Sequence, residues 1–221
     1  MSEDARKSVL DRIQSALADR LPLSRAQMLT DWQAIPRAYE QIASLSAEAL
    51  LDLLEDRLRD YDAEVIRVRD DQVAAAISSV LVQRGRLPTL LPQGFPSCWT
   101  PSDVSLTVDE GFSTRELDHY DGVVTGAVVA IAETGTLVLQ AVAGQGRRAA
   151  NLVPDFHLCV VRAPDVVQTV PEAFVRIACS PTLPTTFVSG PSATADIEMT
   201  RIKGVHGPRF LSVLLVTDQR P

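Results

Sequence analysis

Two apolar runs constrain this 221-residue chain more than any other feature: Leu-Cys-Val-Val over 158–161 and Leu-Ser-Val-Leu-Leu-Val over 211–216. A strand with one wet face alternates apolar and polar side chains. Runs this uniformly apolar are buried on both faces, so they demand a sheet held between two layers. From residue 63 onward the sequence supplies those layers by alternating strand-like and helix-like segments. Strands are expected over 64–68, 87–91, 105–108, 127–132, 136–141 and 186–188. Helices are expected over 71–83 (ending at Gly85), 113–120 and 171–177. That alternation predicts the α/β class.

The first sixty residues read differently. Val9, Leu10, Ile13 and Leu17 recur at helical spacing, and Pro22 and Pro36 interrupt the stretch after them. Ser46 stands as an N-cap before Leu50, Leu51, Leu53, Leu54 and Leu58, which predict a helix to about residue 60. The expected organisation is a helical arm over 1–60 that packs on an α/β domain over 61–221. The alternative occupant of the arm's apolar faces is a partner chain.

Composition narrows the functional classes. The chain is 46% hydrophobic and 22% charged with a net charge of −7, and Arg147-Arg148 is only a pair, so a basic nucleic-acid stripe is missing. Cys98, Cys159 and Cys179 are far apart and cannot build a zinc ribbon or an iron–sulfur cluster locally. The scattered histidines and acids form no metal-ligand spacing, and no cofactor is named. The start, MSEDARKSVLDRIQ, has charges throughout, and no run approaches a membrane span, so a cytoplasmic protein is expected.

Four stretches can carry chemistry. Ser189-Gly190-Pro191-Ser192, after the apolar residues 185–188, reads as strand, tight turn and helix start. A helix N-terminus there favours an anion, although capping alone explains the same residues, and Asp196 and Glu198 oppose negative charge nearby. Glu133-Thr134-Gly135-Thr136 joins two apolar segments. A shielded Glu133 can act as base or nucleophile, and a plain hairpin turn accounts equally for the pattern. Gly144-Gln145-Gly146-Arg147 offers an Arg that can clamp a carboxylate or phosphate, or can simply be solvated. His206-Gly207, before the last strand, can present an imidazole as acid, base or donor. His157 lies at the edge of an apolar strand, where a buried, satisfied role explains it. His119 sits among Glu116, Asp118 and Asp121 and can pair with them.

Taken in order, residues 122–126 (GVVTG), 130–136 (AIAETGT), 144–148 (GQGRR), 152–157 (LVPDFH), 189–198 (SGPSATADIE) and 204–208 (GVHGP) resemble the LUD domain family in its stand-alone form without cluster motifs. The resemblance covers about residues 60–217. It implies an α/β/α sandwich like that of the sugar-phosphate isomerase, CoA-transferase and formyltetrahydrofolate cyclo-ligase group. It also implies a non-redox part in oxidising L-lactate to pyruvate beside two iron–sulfur partner proteins, with the chain expected to bind a small anionic ligand or those partners. The implied site comprises Glu133 and His206 as catalytic candidates. Thr134, Gly135, Thr136, Arg147, Ser189, Gly190, Pro191, Ser192, Asp196, Glu198 and Gly207 are the binding candidates, with His157 beside them. The alternative is a free-standing enzyme acting on a phosphorylated or CoA-linked small molecule, with Glu133 as base or nucleophile.

Overall fold

The computed structural model describes residues 3–17, 24–39, 43–85, 88–180, 182–194, 202–204 and 206–218. It divides into two compact units, Met1–Tyr39 and Glu40–Pro221. The first holds helices α1 (Glu3–Leu17) and α2 (Arg25–Ala34). Ser24 caps α2 by accepting from the Gln27 N–H at 3.1 Å. The apolar stripe of α1, with Val9, Leu10 and Ile13, is exposed.

The second unit begins with α3 (Ala47–Asp60), started as expected by Ser46, whose hydroxyl accepts from the Ala49 N–H. Then come β1 (Glu64–Arg69), α4 (Val73–Arg84), β2 (Thr89–Leu91), β3 (Leu106–Val108), α5 (Thr114–Leu117) and β4 (Gly122–Gly126). The chain continues through β5 (Val129–Ile131), β6 (Thr136–Gln140), α6 (Arg148–Leu152), β7 (Phe156–Arg162), β8 (Val166–Val167) and α7 (Val170–Ile177). It ends with β9 (Thr185–Val188), β10 (Ala193–Thr194), β11 (Ile202–Lys203) and β12 (Phe210–Asp218).

Six strands form one wholly parallel sheet in the order β1-β12-β7-β4-β2-β3. The two apolar runs are its neighbouring central strands, with Leu158 opposite Ser212 and Val161 opposite Leu215. Successive residues of each run face opposite ways, and both faces are covered. Leu158, Val160, Leu214 and Val216 meet Val73, Ile77 and Leu81 of α4, together with Trp99. Cys159, Val161, Val213 and Leu215 meet Leu51, Leu54 and Leu58 of α3.

On this second face the helix layer is incomplete. The strands expected over 127–132, 136–141 and 186–188 do not join the parallel sheet. They build a separate four-stranded sheet, β8-β5-β6-β9. Its inner side chains Ala130, Leu137 and Leu139 enter the same core as α3. Val129, Ile131 and Val138 on its outer side are covered by Ala173 and Ile177 of α7. Toward β2 and β4, α5 and α6 complete the covering, with Leu117 and Ala150 packed on Leu90 and Val123.

Candidate functional site

The Ser189–Ser192 turn does not start a helix. After Pro191 the chain enters β10, which pairs antiparallel with β11 through Ala193 opposite Lys203 and Thr194 opposite Ile202. The Ser192 N–H donates to the Pro208 carbonyl at 2.8 Å, and the Ser192 carbonyl accepts from the Gly204 N–H at 3.0 Å. These backbone groups are engaged in the hairpin and its return loop, so the anion site expected of a helix N-terminus is not formed by them. The Ser192 hydroxyl adds a third link by accepting from the His206 N–H at 3.2 Å. Gly190 is required for a packing reason: its φ is 83°, and a β-carbon there would lie 2.4 Å from Cβ of Tyr61, just past the end of α3. Asp196 and Glu198 lie outside the described residues.

This turn walls a cavity of about 260 Å³ at the amino ends of β7 and β12. Ser189, Gly190, Pro191, Ser192, His206 and Gly207 all line it, so six of the expected site residues come together. Opposite them stand Asn151 and Leu152 of α6, with His157 and Leu211 from the parallel strands. His157 is only 1% exposed. Its Nε2 lies 2.7 Å from the Thr125 hydroxyl on the adjacent strand. Burial pushes the imidazole down to about 4, so it is neutral at physiological pH. Beside it, burial pushes the Cys159 thiol up to about 12, with the Thr125 hydroxyl pulling the other way. Asn151 is also buried. Its Nδ2 donates to the Gln145 carbonyl, while its Oδ1 is the single fully buried side-chain oxygen or nitrogen among the described residues without a partner.

The Glu133 turn adjoins the cavity without lining it. The Thr134 hydroxyl is 2.7 Å from that of Thr136, which is 2.7 Å from that of Ser189, so a chain of three hydroxyls runs from this turn to the cavity wall. Gly135 has φ 57° and packs on Arg57 of α3, where a β-carbon would come to 2.9 Å. The exposed Glu133 carboxylate accepts from Nε2 of Gln168 at 3.1 Å. Gln168 in turn accepts from the N–H groups of Ser44 and Leu45, which fixes the amide that holds Glu133.

Arg147 is elsewhere, in an open cleft of about 640 Å³ lined by residues of the 92–94, 109–111 and 141–147 loops. This cleft lies beyond the carboxyl ends of β2 and β3, next to the place where strand order reverses between β2 and β4. The guanidinium is engaged there. Nε and Nη2 donate to Asp109 at 2.7 and 3.0 Å, and Nη2 also bonds the Phe112 carbonyl. Burial pushes the Asp109 carboxyl up. The Arg147 fork and the Gly111 and Phe112 N–H groups outweigh that and hold it below the usual carboxylate range. His119 bonds the Arg115 carbonyl through Nδ1, one turn back on its own chain.

Among the residues that sequence reasoning left out are Asn151, Leu152, Thr186 and Leu211 of the lining, and Thr125 behind His157. Asn151 carried a signal, since it is the one polar side chain within Ala149-Ala150-Asn151-Leu152-Val153. Thr125 carried none, because its meaning depends on a strand 32 residues away. Hydroxyls, two imidazoles and a carboxamide around a small cavity suit a compact polar ligand, below the roughly 300–1,000 Å³ of drug-sized pockets. Among the described residues no group of three His, Cys, Asp or Glu side chains is placed to hold a metal ion.

Comparison with known proteins agrees with the motif order. The LUD domain profile matches residues 107–216. The chain is 41% identical over 216 residues to a Deinococcus radiodurans protein named lactate utilization protein C, covering 96% of both chains. A Bacillus subtilis protein of the same name is 26% identical over 234 residues, again with 96% of both chains covered. A solved structure of a DUF162 family protein from Deinococcus radiodurans superposes with a TM-score of 0.68 at 40% identity, over 78% of this chain and 99% of that one. The α/β fold and its ordered glycine-bearing motifs thus have a common origin: the chain belongs to the LUD domain family.

Proposed function

We propose that this chain is a non-redox component of an L-lactate utilisation system and that its 260 Å³ cavity holds a small anionic metabolite of that system. The observation that carries the reading is the convergence on one cavity of the Ser189–Ser192 and His206–Gly207 motifs, in a chain whose relatives are named for lactate utilisation. Iron–sulfur subunits are the partners that this reading requires, since the three cysteines are free and scattered and electron transfer belongs elsewhere. No helix among the described residues is long and apolar enough to cross a membrane, and the reading places the chain in the cytoplasm. Deleting the gene alone is expected to abolish growth on L-lactate, and the tagged chain is expected to co-purify with iron–sulfur proteins. Undiminished growth of the deletion strain would overturn the reading.

A second reading makes the chain an enzyme acting on a phosphorylated or CoA-linked small molecule. What favours it is Glu133, an exposed carboxylate oriented by Gln168 in a turn whose Thr134 and Thr136 hydroxyls reach Ser189 at the cavity wall. In that case Glu133→Gln removes the base or nucleophile. Loss of lactate-dependent growth in this variant, with ligand affinity unchanged, favours the enzyme; growth at the wild-type rate excludes it.

A further inference from the structure

His157 is an unexpected residue for its position. It is the second residue of β7, flanked by Phe156 and Leu158, and nearly every other side chain of that strand is apolar and buried. Burying an imidazole removes two hydrogen-bonding nitrogens from water, and each then needs a partner. Thr125 supplies one, at Nε2. The ring makes no other hydrogen bond to a described residue. His157 lines the cavity, and with Nε2 engaged by Thr125 its Nδ1 is the nitrogen left for a ligand there.

We propose that the cavity recognises the hydroxyl group of a small hydroxy acid through the buried imidazole of His157, with the carboxylate held toward the Ser192 and His206 mouth. This rests on the reading above that the cavity is the ligand site. A neutral imidazole offers either a lone pair or an N–H at Nδ1, as Thr125 donates to or accepts from Nε2. A hydroxyl satisfies both cases because it donates and accepts, whereas a carbonyl satisfies only the N–H form. A phosphate is a poor match, since it asks for several fixed donors or a guanidinium fork. The polar side chains that line this cavity are the hydroxyls of Thr186, Ser189 and Ser192, two imidazoles and one amide instead, and Ser189 is already bonded to Thr136. The cavity's size points the same way, being suited to a metabolite of a few carbons. His157 is thus a ligand-contacting residue that can bond a hydroxyl in either tautomer, and Thr125 positions it by holding the opposite nitrogen.

Isothermal titration calorimetry on the full chain tests this, with L-lactate, glycolate, pyruvate and inorganic phosphate as probes. Removing His157 alone would orphan Thr125, so the variant is His157→Leu with Thr125→Val, and a thermal melt establishes that it folds. His157→Gln, which keeps polar atoms, serves as the milder control. L-lactate and glycolate are expected to bind the wild type, with affinity falling about tenfold or more in the double variant and less in His157→Gln. Pyruvate is expected to bind no tighter than L-lactate, and phosphate neither to bind nor to compete. The proposal is overturned if no hydroxy acid binds the wild type, if pyruvate binds tighter than L-lactate, if phosphate displaces L-lactate, or if the folded double variant keeps wild-type affinity. Growth of the deletion strain on L-lactate reads the broader function separately, so a chain that is required for growth yet binds no hydroxy acid loses this inference and not that reading.

Discussion

Gly190 and Tyr61 touch so closely that no side chain fits between them, a β-carbon on Gly190 falling 2.4 Å from Cβ of Tyr61 and 3.1 Å from its carbonyl oxygen. The contact ties the turn after β9 to the end of α3. One wall of the cavity is therefore set by a helix that contributes no residue to its lining. Gly190→Ala adds a clash with Cβ of Tyr61 to the penalty of a left-handed φ of 83°. A loss of at least about 2 kcal/mol in urea unfolding is expected. A change within about 0.5 kcal/mol, the range of an innocuous surface substitution, would show that the turn has room to relax.

Much of the fold was legible because its central strands are buried on both faces. Residues 158–161 and 211–216 could only be the middle of a covered sheet, and they are neighbours in it. Ser46 and Gly85 marked helix ends by chemistry that is local, and both ends are where that chemistry put them. The assignment of strands to sheets was not legible. Nothing in the composition of residues 129–140 separates a strand of the parallel sheet from one in a second sheet, because both sides of each are apolar. The strand Gly122–Gly126 was missed as a strand since its glycines resemble turn residues.

The site was legible as motifs and not as geometry. Ser-Gly-Pro-Ser has the local chemistry of a helix start. The deciding fact is the partner strand Ile202–Lys203, which supplies a ladder at long range. Arg147 shows the same limit, for its nearest carboxylate is Asp109, 38 residues away, and no local pattern announces that pair.

The Arg147–Asp109 pair yields the next prediction. Asp109 is 5% exposed at its side chain and accepts two guanidinium bonds and two backbone N–H bonds. Lysine keeps the charge and loses the fork. Arg147→Lys is expected to destabilise by about 1–2 kcal/mol, a figure reduced because the Arg147 side chain is 38% exposed. The sign with pH follows from the direction of the Asp109 shift. A carboxyl held low in the folded state contributes stability above its unfolded value near 3.9, and that contribution is lost as pH falls through the folded value. The deficit of Arg147→Lys in urea unfolding is therefore full at pH 7 and shrinks below about pH 4. A deficit independent of pH would remove the ion pair as its cause.

Ser192 organises the cavity mouth through three bonds, of which only the hydroxyl bond to the His206 N–H depends on the side chain. Ser192→Ala is accordingly expected to change global stability by no more than about 1 kcal/mol. The local effect is larger. The His206 amide loses its acceptor, and its hydrogen exchange should accelerate about fivefold or more, while the Ser192 amide, held by Pro208, keeps its protection. Equal acceleration at both amides would mean that the hairpin opens as one piece and that the hydroxyl is not the local latch.

The buried imidazole of His157 predicts an acid limb to the stability curve. Its value in the folded protein is depressed to about 4 by burial, against about 6.5 for an unfolded histidine. Between these two values the unfolded chain takes up a proton that the folded chain refuses. Stability therefore falls as pH drops from about 6.5 to about 4, by about 3 kcal/mol in all, and this term is flat on either side of that window. Glu64, Asp109 and Glu172 are all held low in the folded protein, so their contributions to acid unfolding come at lower pH, through and below the ordinary carboxylate values. The two windows are separable. Urea unfolding of the wild type and His157→Gln at intervals from pH 7.5 to 3.5 measures both, and the variant is expected to lose most of its slope above pH 4 while keeping the carboxylate limb below. His119 and His206 are exposed and remain in both proteins, so they cancel in the comparison. Parallel curves for the two proteins above pH 4 would mean that the imidazole gains its proton without penalty, and burial would then not be what holds His157 neutral.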